Sequence, residues 1–223
     1  MRLALFDLDH TLIPFDSGMA WTRFLISRGV LGPEFESIYL EECKLYVVGA
    51  LDIHALHRTM VEPLGRLPRE ELQSLLNEFG TALRPTLPAA AQALVARHRA
   101  AGDLCCVVTA TTRFIAERYA QGFGIDHLLA TEAALDAGGT LTGEIDGLPC
   151  YREHKLTRLQ EWLRSRGQDL GDFERCWFYS DSFNDLPLLR AVSDPVAVRP
   201  DAPLRAFADK EGWPIEMLSE TAG

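Results

Sequence analysis

The sequence predicts an α/β fold, a doubly wound and mostly parallel sheet interrupted by an inserted α-helical block. Three observations lead there. Apolar runs of strand length recur between segments of helical periodicity. Two of those runs end in clusters of acidic residues, and a purely helical stretch separates the first run from the second.

Taken in order, Leu3 to Phe6 is the first strand, running into the turn-prone Asp7 to Thr11. Ser17 is placed to cap a helix reaching about Arg28, with Gly29 as its stop. From Pro33 to about Leu83 the pattern is helical, with Phe35, Ile38, Tyr39, Glu42 and Tyr46 near three- and four-residue spacing. Breaks at Gly49, Pro63 to Gly65 and Pro68 divide it into several short helices. A block of this length is too long for a simple crossover, so it reads as an insertion. The expected division is a core of residues 1–14 and 85–223 with a helical cap at 15–84.

Strand and helix alternate again from Pro85. Leu87 to Ala101 is an Ala-rich helix ended by Gly102, and Leu104 to Val108 is a strand ending at Thr109. Arg113 to Phe123 is a helix closed by Gly124. Leu128 to Leu135 and Thr140 to Ile145, joined by Asp136-Ala-Gly-Gly, read as a hairpin. Glu153 to Arg166 is a helix, and Cys176 to Tyr179 a strand ending at Ser180 and Asp181. Asn184 to Ala191 is a helix, and Val196 to Val198 the last core strand.

With 47% hydrophobic and 24% charged residues, the composition is that of a globular protein. A net charge of −10 and the absence of Lys/Arg runs disfavour nucleic acid or an anionic membrane as partner. An anionic substrate would therefore be held by local chemistry. The five cysteines are odd in number and lack CxxC spacing, as expected for reduced thiols of a cytoplasmic protein. Strand alternation points Cys105 and Cys106 to opposite faces. Asp7 and Asp9 interrupt the amino-terminal apolar run, so it does not read as a signal peptide, and no run approaches the length of a membrane span.

Asp7 and Asp9 at the end of a buried strand need compensation, because buried charges are costly unless paired or bound to metal. Strand carboxyl ends are where open α/β sheets bind ligands, and Mg2+ favours such hard oxygen donors. The plain alternative is a solvated loop with Thr11 as a helix cap. Thr109, Ala110, Thr111 and Thr112 offer hydroxyls and free amides where the next helix begins, an arrangement suited either to an anion or to simple capping. Lys155 lies in a helix's first turn, where a cation opposes the macrodipole unless an anion accompanies it. A surface lysine is the competing reading. Asp181, Ser182, Phe183, Asn184 and Asp185 follow a second buried strand, and convergence of Asp7, Asp9, Asp181 and Asp185 requires that the two strands be neighbours.

In this order, strand-DxDxT, strand-Thr, helix-start Lys and strand-DxxND, the chain resembles the haloacid dehalogenase-like hydrolases. It is most similar to their phosphoserine phosphatase-related group, which carries a helical cap after the first motif. The resemblance extends through Leu141-Thr-Gly-Glu-Ile-Asp-Gly, Val198-Arg-Pro-Asp and Gly212-Trp-Pro-Ile. It implies a Rossmann-like core in which Asp7 is the nucleophile and Asp9 the acid and base. Thr109, with Ala110, and Lys155 would grip the phosphate. Mg2+ would be held by Asp7, the Asp9 carbonyl and Asp181, supported by Asp185 and Asn184. An Asp at position 9 favours phosphate-ester hydrolysis over dehalogenation or ATP-driven transport. Asp16 occupies the place of the acid that meets a substrate ammonium group; helix capping is its other reading. His10 reads as a surface residue, and Arg58 as a solvated arginine or a cap contact to substrate. The implied substrate is a small phosphorylated metabolite such as phosphoserine, histidinol phosphate, phosphocholine-like esters, or sugar and glycerol phosphates. The alternatives are a phosphoaccepting signalling module and a family member without turnover. In the signalling module the phosphoacceptor sits on a middle strand, whereas here acids recur after the lysine.

Overall fold

A computed structural model describes residues 1–47 and 51–218. The break predicted at Gly49 lies outside these residues, and Tyr46 is described in its backbone alone.

The strands β1 (Arg2–Phe6), β2 (Leu104–Thr112), β3 (His127–Thr131), β6 (Arg175–Ser180), β7 (Asp194–Val198) and β8 (Ile215–Glu216) form one sheet in the order β3-β2-β1-β6-β7-β8. Every pairing in it is parallel. β1 is central, with Phe6 opposite Val107 on one side and Tyr179 on the other. This register brings the chain just after Phe6, Val107 and Tyr179 to one edge. Thus Asp7, Thr109 and the Ser180–Asp181 pair emerge together, and the Asp7 amide donates to the Tyr179 carbonyl at 2.9 Å. β1 and β6 are neighbours, as convergence of the acids requires.

Alternation along these strands separates two apolar layers. Ala4, Phe6, Cys105, Val107 and Tyr179 face one side; Leu3, Leu5, Cys106, Val108 and Phe178 face the other. Cys105 and Cys106 therefore point oppositely, as expected, and all five cysteines are free. The second side is covered by α7 (Glu153–Ser165), the single turn α8 (Leu186–Leu189) and α9 (Ala202–Glu211), through Leu159, Leu163, Leu188 and Leu204. The first is covered by α5 (Ala89–Ala100) and α6 (Arg113–Phe123).

Between β1 and α5 lie α1 (Ser17–Ser27), α2 (Glu34–Val47), α3 (Ile53–Val61) and α4 (Arg69–Leu83). The apolar faces of α1 and α4, with Phe35 of α2, join the same layer as α6. Trp21 meets the Phe79 ring edge-on at 5.1 Å, and Phe79 meets Tyr119 of α6 at 5.9 Å. Side chains of this size each contribute roughly 1.5–3 kcal/mol when fully buried. α1 and α4 are thus fixed to α6 by a shared core. Among the described residues no helix is long and apolar enough to cross a membrane.

Several elements differ from expectation. Leu128 to Leu135 is not one hairpin strand: His127–Thr131 joins the main sheet, and only Ala133–Leu135 (β4) pairs antiparallel with Leu141–Ile145 (β5). The change of direction falls at Glu132, whose carboxylate is held by Arg113 at 2.7 Å and Arg158 at 3.3 Å. The β5 strand then rests on the inserted helices. Gly143, at φ +84°, lies so close to Glu62 that a Cβ would come within 2.9 Å of that side chain. β2 continues past Thr109 to Thr112 after a register shift. The helix expected from Asn184 is a tight turn at Phe183–Asp185 followed by α8, whose Pro187 lies in its first turn and has no N–H to offer. α1 is capped by Asp16, which accepts from the Met19 amide, rather than by Ser17, its first helical residue.

Candidate active site

The edge where β1, β2 and β6 end carries the acids. Asp7 is 6% exposed and faces Lys155, which is 3% exposed. The Lys155 ammonium donates to Asp7 Oδ1 at 2.8 Å and to Asp185 Oδ2 at 2.7 Å. A surface position for Lys155 is therefore excluded. The first turn of α7 points its stem into the sheet edge, and two carboxylates offset the unfavourable helix dipole. Asp185 Oδ2 also accepts from the Ser180 hydroxyl at 2.7 Å. Asp185 thus stands behind Lys155, with that oxygen already bonded. Asp181, half-buried, accepts from Thr11 at 3.2 Å, so Thr11 serves the acidic cluster and not a helix cap.

Asp9 is held differently. Its Oδ1 accepts from the Ser17 amide at 2.6 Å and its Oδ2 from the Thr111 hydroxyl at 2.6 Å. Thr111 therefore does not cap α6. Thr112 occupies the capping position without a side-chain capping bond, its hydroxyl 3.3 Å from His57 Nδ1. Thr109 is buried, its hydroxyl accepting from the Thr111 amide at 3.2 Å, with the half-buried Ala110 between them. Asn184 lies half-buried in the turn after Asp181, its amide donating to Ser182 Oγ at 3.3 Å. Asp16, half-buried, accepts from Met19 N and from the Tyr39 hydroxyl, both on Oδ1 at 2.7 Å.

The electrostatics show too little positive charge. Burial raises the Asp7 carboxyl above its usual range; Lys155 opposes that rise, and the charge of Asp9 adds to it. Asp181 is pushed well above the ordinary value by burial, then by Asp7 and Asp185. Asp185 is raised by burial, which outweighs Lys155. Asp9 is raised to about 6 by burial and by Asp16, while bonds from Ser17 and Thr111 restrain it. One ammonium among these acids leaves room for a divalent cation, and carboxylate and carbonyl oxygens suit Mg2+. Among the described residues no group of three or more His, Cys, Asp or Glu side chains is placed to hold a metal ion by itself. Mg2+ is ordinarily held by one or two carboxylates with water and substrate oxygens, so the donor set fits that ion.

His10 is exposed at φ 57°, as a surface residue should be. Arg58 is engaged by Glu144 of β5 through two bonds, at 2.8 and 3.1 Å. Sequence reasoning missed Ser17 as an amide donor to Asp9, Ser180 as the partner of Asp185, and Arg199. The Arg199 guanidinium donates to the carbonyls of His10 at 3.1 Å and Thr11 at 2.5 Å, tying down the loop after Asp9. Its place after β7 in Val198-Arg-Pro-Asp was visible; its reach across the sheet edge was not.

Residues 4–190 match the haloacid dehalogenase-like hydrolases. A histidinol-phosphatase of Neisseria meningitidis is 41% identical over 216 residues, covering 96% of this chain and 97% of the relative. A phosphoserine phosphatase of Mycobacterium tuberculosis is 29% identical over 95% of this chain and 69% of its own length. Among solved structures, a Bordetella pertussis protein of unknown function superposes with a TM-score of 0.89 at 41% identity, over 98% of this chain and 99% of that one. The chain belongs to the haloacid dehalogenase-like hydrolases. Within that family it is a phosphatase.

Proposed function

We propose that this phosphatase is a Mg2+-dependent phosphomonoesterase acting through an aspartyl-phosphate on Asp7, with the phosphate ester of a small amino alcohol, histidinol phosphate first, as substrate. The single observation that carries this reading is the contrast between two acids at one strand end. Asp7 is bound to a buried ammonium, while Asp9 is held apart from it by an amide and a hydroxyl. Different surroundings for paired carboxyls are what different catalytic roles require.

In the first step an Asp7 oxygen attacks phosphorus, and the P–O ester bond breaks with its electron pair on the leaving oxygen, which takes a proton from Asp9. In the second, Asp9 removes a proton from water as that water attacks phosphorus, returning Asp7 as carboxylate. Thr109, the backbone at Ala110 and Lys155 hold the nonbridging oxygens. Asp7, the Asp9 carbonyl and Asp181 would hold Mg2+, with Asp185 and Asn184 behind them; bound there, it supplies charge neutralisation to the phosphoryl group. Residues 15–84 serve as the cap over the site and exclude water. The Oδ2 of Asp16 is unused by Met19 and Tyr39, which suits it to a substrate ammonium group. The near full-length relative named histidinol-phosphatase supports an amino-alcohol ester.

The test is turnover of a panel of metabolite phosphates with Mg2+ and with chelator, in the natural protein and in Asp7→Asn. The proposal expects many turnovers with Mg2+, histidinol phosphate preferred, and none in a folded Asp7→Asn protein. Substantial residual turnover by that variant would remove Asp7 from the chemistry.

A further inference from the structure

Thr111 does not make the helix cap its sequence position suggests and has no role in the proposed mechanism, yet its hydroxyl makes one of the two shortest contacts to Asp9. Each Asp9 oxygen has one donor, the Ser17 amide on Oδ1 and Thr111 on Oδ2. Together they fix both torsions of a short side chain that would otherwise rotate between staggered positions. The Thr111 hydroxyl is itself aligned. The hydroxyl of Ser17, fully buried, lies 3.0 Å from Thr111 Oγ1. A hydroxyl carries one hydrogen, so while Thr111 donates to Asp9 it accepts from Ser17. The Thr111 amide is in turn held by Thr109 Oγ1 at 3.2 Å, which sets this clamp relative to the residue that grips phosphate.

We propose that Thr111 is a positioning residue that holds Asp9 in its proton-transfer orientation, with Ser17 fixing the direction of the Thr111 hydroxyl. The inference rests on the acid/base role proposed for Asp9. Thr111 touches neither phosphorus nor the leaving oxygen; it acts through Asp9. Its contribution therefore depends on how much protonation the leaving group needs. An alkoxide is strongly basic and needs Asp9, whereas p-nitrophenolate leaves without that help.

The experiment compares Thr111→Val, of similar shape without the hydroxyl, with Thr111→Ser, which keeps it. Phosphoenzyme formation is followed in single turnovers, and kcat and KM in steady state, with an alkyl phosphate and with p-nitrophenyl phosphate in Mg2+. General acid catalysis contributes typically 10²–10⁴-fold, so Thr111→Val is expected to slow alkyl-ester cleavage by roughly 10–100-fold with KM nearly unchanged. The burst of p-nitrophenolate should fall by no more than about threefold, and Thr111→Ser should recover most of the alkyl-ester rate. Ser17→Ala, which keeps the amide and removes the hydroxyl, should show the same leaving-group bias more weakly, and it stands in should the Val variant not fold. Equal losses in the rate of phosphoenzyme formation for both leaving groups, a change in KM alone, or no rescue by Ser would overturn the proposal. Asp9→Asn separates the two claims. If it shows the leaving-group bias and the Thr111 and Ser17 variants do not, the positioning role fails alone; if Asp9→Asn lacks the bias, the acid role fails with it.

Discussion

Replacing Lys155 with Met removes the one ammonium shared by two buried carboxylates. Its contacts, 2.8 Å to Asp7 and 2.7 Å to Asp185, are each about 6 kcal/mol of Coulomb attraction at an effective dielectric near 20. Desolvation of the three groups offsets much of this, and breaking such buried pairs typically costs about 3–5 kcal/mol. Lys155→Met should therefore lower the unfolding free energy by roughly that amount, a shift of about 1–3 M in the urea midpoint. The measurement is made in chelator, so that no added cation substitutes for the lysine. The double variant Lys155→Met/Asp185→Asn removes one stranded charge while keeping an acceptor for Ser180, and should regain roughly 1–3 kcal/mol. Activity should not return in either variant, since Asp7 still lacks its ammonium and the phosphate one of its contacts. Turnover by Lys155→Met within tenfold of the natural protein, or a stability loss below about 1 kcal/mol, would refute the reasoning.

Three other outcomes follow from individual contacts. Asp9→Asn should slow release of an alkyl alcohol by at least about 100-fold and delay phosphate release; an unchanged rate removes Asp9 from the acid/base role. Asp16→Asn keeps a good cap for Met19 N while deleting the charge. The KM for an amino-alcohol ester should rise about tenfold, equivalent to about 1.4 kcal/mol, with that for p-nitrophenyl phosphate nearly constant; parallel changes would refute an ammonium contact. His57 is 5% exposed, and burial lowers its imidazole from 6.5 to about 4. The unfolded chain then binds the extra proton first, so this stability is complete above pH 6.5 and falls as pH drops from 6.5 toward 4. His57→Leu should flatten that acid limb by up to about 3 kcal/mol, measured as unfolding free energy against pH; an unaltered limb would clear His57.

The parallel strands were legible because burial on both faces makes them continuous apolar runs, as Leu3 to Phe6 and Leu104 to Val108 show. The break at Glu132 was hidden, since Thr131 to Leu135 carries no Gly or Pro and the turn is made by two arginines distant in sequence. The acids of the site were readable as residue types at strand ends. Their neighbourhood depended on β1 pairing with β6, which periodicity does not reveal. Lys155 looked like any amphipathic helix lysine because its burial is a tertiary property. The roles of Ser17, Ser180 and Thr111 were hidden for the same reason: hydroxyls are common, and these matter through rotamers set by contacts across the fold.

The claim on which the mechanism turns is that phosphate passes through Asp7. Acid-quenched enzyme taken during turnover, reduced with borohydride and digested, reports this by mass spectrometry, because an acyl phosphate is reduced and a free carboxylate is not. The account predicts conversion of residue 7 to homoserine, dependent on substrate and Mg2+ and absent from Asp7→Asn. Reduction at another carboxylate, or an unmodified residue 7 in enzyme shown to accumulate phosphate under the same quench, would contradict it.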